Sequence, residues 1–110
     1  MQLTVHGNWI KGYGVLFKGK YPVLSASLIN DHVLVIYDWM AFEGKSPARN
    51  LFCYARTGSF LWRASDIGRG AADAYTNITI ENPLWVSNFA GFNCRIDEAS
   101  GKVLDANFTK

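Results

Sequence analysis

Residues 50–64 read NLFCYARTGSFLWRA, and residues 91–106 read GFNCRIDEASGKVLDA. Each stretch is an alternating run with a cysteine inside it, then a glycine-containing turn, then a second alternating run. Alternation of apolar and polar residues is the period of a strand with one buried face. Laid over one another, Cys53 falls on Cys94, Thr57-Gly58 on Ser100-Gly101, and Trp62-Arg63-Ala64 on Leu104-Asp105-Ala106. A strand–turn–strand unit that recurs within one chain sets the architecture.

The repeat extends backwards. Tyr37-Asp38-Trp39 aligns with Ser87-Asn88-Phe89 at an offset of 50, whereas the cysteines are offset by 41. A longer loop at residues 40–49 accounts for the difference. Each unit then has four strands, one spanning about 21–65 and the other about 74–108. Residues 32–39, rich in Val, Ile, Tyr and Trp, predict a largely buried strand, and Asn30-Asp31 before it a tight turn. No segment predicts a helix. Gly7, Gly12, Gly14 and Gly19 cut residues 1–20 into short strands or loops that would cover an open face or edge. The fold expected is a single all-β domain. Two four-stranded antiparallel sheets would form a half β-propeller or a sandwich, with extra N-terminal strands. Two repeat units cannot close a ring, so the chain must cap itself, pair as a homodimer, or present a face to a partner.

A chain of 110 residues with 49% apolar content is one domain with a real core. Aromatic residues make up 15%, four of them Trp, which suits pleated sheets and contact surfaces. The net charge is only +2. Lys11, Lys18 and Lys20 fall in the first 20 residues, which hold no acid, so the remainder is close to neutral. That is no footprint for general nucleic-acid binding. No run approaches the roughly 18 apolar residues of a membrane span, and the first residues lack the layout of a signal peptide. A cytoplasmic protein is expected, with Cys53 and Cys94 reduced and buried as small hydrophobes. The sequons at Asn77 and Asn107 would then go unused.

Catalytic patterns are sparse. His6 and His32 could act as an acid–base pair on RNA, but the plainer reading is a loop histidine near each strand start. The spacings of Cys and His offer no metal-ligand pattern, and no GxSxG elbow is present. Gly12-Tyr13-Gly14 and Gly68-Arg69-Gly70 read as turns, because neither has the length or the lysine of a phosphate loop. No enzyme activity, cofactor or metal is therefore expected. Aromatic and basic residues interleave at Trp9, Lys11, Tyr13, Phe17, Lys18 and Lys20. Such a pattern can stack single-stranded nucleic acid, although an edge strand protected by lysines is preferred. The loops hold the remaining candidates: Met40, Phe42, Glu43, Lys45 and Arg49 in the first, and Asp66, Arg69 and Asp73 in the second. Mixed charges beside Met and aromatic residues suit protein binding. Glu43, Asp66 and Asp73 would meet Lys or Arg residues of a basic partner.

Two resemblances bear on these residues. Tyr54-Ala55-Arg56-Thr57-Gly58-Ser59-Phe60-Leu61-Trp62 resembles the quinoprotein-type propeller repeat, with its Thr-Gly and Trp but without its acid. Residues 97–104 keep the acid and the glycine but not the Trp. This likeness implies blade-like sheets and no bound quinone. The hairpin at 50–62 and the ending from Cys94-Arg95-Ile96-Asp97 to Phe108-Thr109-Lys110 resemble immunity proteins of contact-dependent growth inhibition. That resemblance implies a cytoplasmic inhibitor of one bacterial toxin domain, often a nuclease, acting by protein–protein contact, with no membrane or direct nucleic-acid partner. Inhibitors of basic nucleases are often acidic, whereas this chain is slightly basic. The alternatives are a small RNA-binding or RNA-cleaving protein using His6, His32 and the basic N-terminal segment, and a structural half-propeller homodimer.

Overall fold

Three antiparallel meanders follow one another along the chain. The computed structural model describes residues 1–42, 44 and 46–109. Strands β1 (Thr4–His6), β2 (Trp9–Gly12) and β3 (Val15–Lys18) form the N-terminal sheet. Strands β4 (Val23–Ile29), β5 (His32–Tyr37), β6 (Leu51–Ala55) and β7 (Phe60–Arg63) form the central sheet. Strands β8 (Tyr75–Ile80), β9 (Trp85–Asn88), β10 (Phe92–Ile96) and β11 (Val103–Phe108) form the C-terminal sheet. The protein is all-β, with helix among the described residues confined to 3-10 turns at Trp39–Ala41 and Gly70–Ala72.

The residues expected to be extra N-terminal strands build a third sheet of their own. Tyr13 and Gly14 both have positive φ, at 50° and 82°, and make a two-residue loop between Gly12 and Val15. Asn30 (49°) and Asp31 (68°) do the same between Ile29 and His32. Positive φ at both central residues matches the right-handed twist of a hairpin. The N-terminal segment covers both an edge and a face. The Leu3 N–H donates to Ala26 O at 2.9 Å and the Leu28 N–H to Met1 O at 2.7 Å, which closes the β4 edge. Leu3, Ile10 and Val15 pack onto the central sheet.

The central sheet is consequently buried on both faces. Val33, Val35 and Tyr37 of β5 point into the cluster shared with the N-terminal sheet. Leu34 and Ile36 point into the cluster shared with Tyr75, Leu84, Val86, Cys94 and Ile96 of the C-terminal half. This two-sided burial is why β5 reads as an unbroken apolar run. Each such aliphatic side chain contributes about 1.5–3 kcal/mol on leaving water.

Polar contacts fix how the sheets meet. Asn50 is wholly buried at the start of β6. Its Nδ2 donates to Tyr37 O and to Tyr75 O, and its Oδ1 accepts from the Tyr75 N–H, each at 2.8 Å. One side chain thus ties the end of β5 to the start of β8. At the other end, Trp62 of β7 lies against Gly101 in the β10–β11 turn. Its Nε1 donates to Glu98 O at 2.7 Å, and a β-carbon on Gly101 would run into the indole. The Ser65 N–H donates to Gly101 O at 3.0 Å, and Ser65 Oγ accepts from the Val103 N–H at 3.1 Å. The same device joins the first two sheets: Phe17 of β3 covers Gly58 in the β6–β7 turn, where a β-carbon would come within 2.9 Å of the ring.

The repeat aligns in space as β4–β7 over β8–β11, with Cys53 and Cys94 both on the third strand and both buried. Its final strands are offset from the sequence alignment. Cys53 lies opposite Trp62, but Cys94 lies opposite Ala106 rather than Leu104. The longer β10–β11 turn absorbs the two residues, and a shift of two preserves the buried face.

Gly101→Ala combines a clash with Trp62 and a φ of +79°, so it should lower unfolding free energy by about 2–4 kcal/mol in a urea titration. Asn50→Leu should cost about 3 kcal/mol or more in the same titration, because it strands the Tyr75 N–H and two carbonyls in the core. Stability close to that of the unsubstituted chain in either variant would contradict this packing.

Candidate functional site

The Asn50 clamp gathers several connections at one end of the central and C-terminal sheets. Asp38 shapes the first. Its carboxylate accepts the Met40 N–H at 2.9 Å and starts the 3-10 turn at Trp39–Ala41. That turn pushes two large side chains outward, Trp39 at 40% exposure and Met40 at 80%. Phe89 follows β9 with 68% exposure, its N–H held by Ala74 O at 2.8 Å. The Trp39 and Phe89 ring centroids are 6.1 Å apart. These are the residues that align across the repeat at an offset of 50, so equivalent positions of the two units meet on the surface. The Arg69 guanidinium carbon is 4.8 Å from the ring centroid of Phe92, three residues after Phe89.

The other loop candidates divide. Phe42 is half-buried, 4.7 Å from the Tyr21 ring, and belongs to the central sheet's flank. Arg49 donates from Nε to Ala64 O at 3.1 Å and braces β7. Asp66 accepts the Gly68 N–H at 2.9 Å within its own loop. Glu43 and Lys45 lie outside the described residues. Asp73 requires a correction. It is wholly buried. Oδ2 accepts the N–H groups of Ile67 (2.6 Å) and Arg69 (3.2 Å), and Oδ1 accepts from Asn88 Nδ2 at 3.1 Å. A carboxylate so enclosed pins the 66–73 connection and cannot present its charge to a partner.

Sequence reasoning missed Trp39 and Phe89 as surface residues, although the repeat alignment had already paired them. It also left apart residues that the fold assembles into a groove of about 470 Å3 beside β3 and β7, lined by Phe17, Lys18, Lys20, Phe52, Phe60 and Arg63. The histidines do not converge. His6 lines a shallow cleft with Trp9, Lys11 and Leu16, while His32 sits half-buried at the β4–β5 turn and does not line it. Among the described residues, no group of three or more His, Cys, Asp or Glu side chains is placed to hold a metal ion. Nor is any helix long and apolar enough to cross a membrane.

Residues 4–108 match a family described as a domain of unknown function, DUF7957. The chain belongs to this family. No curated protein and no solved structure matches it.

Both thiols of this DUF7957 domain are free and buried. Burial pushes Cys53 up to about 12 and Cys94 up to about 11, with smaller contributions from Glu98 and Asp73 respectively. Neutral thiols are poor nucleophiles. Neither cysteine should react with a disulfide reagent at pH 8 until the chain is unfolded. Since the folded values are raised, their contribution to stability is intact below the unfolded thiol range near 9. It falls as pH climbs towards 11–12. Rapid labelling of the native domain at pH 8 would contradict this assignment.

Proposed function

We propose that this DUF7957 domain is a cytoplasmic immunity protein that neutralises a bacterial toxin domain, nuclease toxins being the first class to test, by stoichiometric binding without turnover or cofactor. The observation that carries the reading is the Trp39–Met40–Phe89 surface. Trp, Met and Phe are enriched where protein interfaces are most buried, and large aromatics dominate their energetics. Exposing three of them together costs solvation that a partner would recover. The turns beneath them are held by Asp38, Asn50 and Asp73, so docking requires little ordering of the backbone. Arg69, over Phe92 in the segment after Phe89, would serve as a polar anchor. Asp66 supplies acidic character for a basic toxin, where charge would act mainly on association rate.

The same reading extends to architecture. We take the two four-stranded meanders as adjacent blades of a partial propeller rather than halves of a sandwich. Support comes from the aromatic-on-glycine contact made in the same sense at Phe17–Gly58 and at Trp62–Gly101. The homodimer alternative uses the same exposed apolar surface. The RNA-cleaving alternative would need His6 and His32 at one site, and the cleft that His6 lines does not include His32.

Co-expression with a toxin domain encoded beside this gene should restore growth. The double variant Trp39→Ala/Phe89→Ala should weaken toxin affinity at least about 30-fold, as expected for hot-spot residues, with an unchanged melting temperature. A neighbouring toxin that never binds the unsubstituted chain, or is neutralised equally by the double variant, would sink the reading. A dimer in gel filtration that the double variant abolishes would assign the surface to self-association instead.

A further inference from the structure

The groove between β3 and β7 has a composition of its own. Its walls are aromatic: Phe17, Phe52 and Phe60, the last 59% exposed. Its charges are Lys18, Lys20 and Arg63, and among the described residues no acidic one lines it. These groups come from separate parts of the chain, and the docking of Phe17 on Gly58 brings them together.

Arg63 is held in place rather than free to swing. Its guanidinium lies 4.9 Å from the Phe52 ring centroid and 5.3 Å from that of Phe42. Nε donates to Arg49 O and Nη2 to Ala48 O, both at 2.8 Å. Those bonds occupy two of the five N–H donors of the side chain. The other three have no acceptor among the described residues. A fixed guanidinium with three donors unaccepted among the described residues, sharing a groove with two exposed lysines, suits a planar oxyanion or a phosphate. Burial also lowers the Arg63 pKa, with neighbouring Arg49 adding to the effect, and a bound anion would relieve both.

The aromatic walls narrow the ligand further. A simple inorganic anion would leave Phe17 and Phe60 unused, whereas a flat ring would stack on them. A volume of about 470 Å3 falls in the range of small-molecule sites. We propose that this groove binds a nucleoside phosphate, its base against Phe60 and Phe17 and its phosphate on Arg63, Lys18 and Lys20. The shared chemistry is a base carrying a phosphate, supplied either as a free nucleotide or as the end of a single strand. None of Trp39, Met40 and Phe89 lines the groove, so the site is independent of the protein-binding surface.

The test is a heteronuclear NMR titration of the whole chain with 5′-AMP, 5′-UMP and a 5′-phosphorylated hexathymidylate, with a hexaglutamate peptide as charge control. The Arg63 Nε–H and the amides of Phe60 and Lys18 should shift saturably with a nucleotide, with the strand, or with both. The tighter binder names the source. Phe60→Ala should weaken binding about tenfold, the effect of losing one stacked base. Lys18→Ala/Lys20→Ala should weaken it at least about tenfold and flatten its salt dependence. Groove signals that stay still at millimolar nucleotide and strand would overturn the proposal. So would an equal response to hexaglutamate, or undiminished binding by both variants.

Discussion

The β5 strand at the middle of the central sheet is covered on both faces, and the rest of the molecule follows from that. A sheet with alternating residues needs one cover. A sheet whose β5 strand is apolar at every position from Val33 to Tyr37 needs two. The N-terminal meander supplies one cover and the C-terminal meander the other. Neither outer meander has such a double-faced strand, and each leaves large apolar residues exposed on its outer side, Leu16 and Trp9 on one and Leu104 and Phe108 on the other. Fully buried apolar residues are therefore concentrated in the middle of the chain.

Two kinds of contact turn three stacked sheets into one defined arrangement. The Asn50 side chain satisfies backbone groups of two sheets at one end. Aromatic rings on glycine turns set the approach at the other end. Hydrophobic burial alone is non-directional, so without these contacts the layers could slide. A buried polar group that is fully paired supplies the registration that apolar packing lacks.

Much of this was legible in the sequence because it was periodic. The duplicated hairpin, the double-sided β5 strand and the Asn30-Asp31 turn all follow from local patterns whose physics is local. What was not legible depends on distance in space. Residues 1–20 looked like a cap, because nothing in their sequence says that Phe17 will rest on Gly58. Asp73 looked like a surface charge, because its burial depends on N–H groups at 67 and 69 turning back onto it. Trp39 and Phe89 were paired by the alignment, yet their exposure depends on the turns that carry them, one held by the Met40 N–H bond to Asp38 and the other by the Phe89 N–H bond to Ala74 O. Arg63 read as the polar residue of an alternating strand, and only the chain crossing at 48–49 shows that its guanidinium is anchored.

The register difference between the two hairpins has one more consequence. Phe17 covers the glycine turn of the unit that follows it, and Trp62 does the same for the next. The residue that would continue the series from β11 is Ala106, which occupies the place opposite Cys94 that Trp62 occupies opposite Cys53. A methyl group has no ring to lay over a further turn. The ring-on-glycine contact is therefore not repeated from β11. The two ring-on-glycine contacts point the same way along the chain, and each hairpin turn so covered is covered by the meander that precedes it.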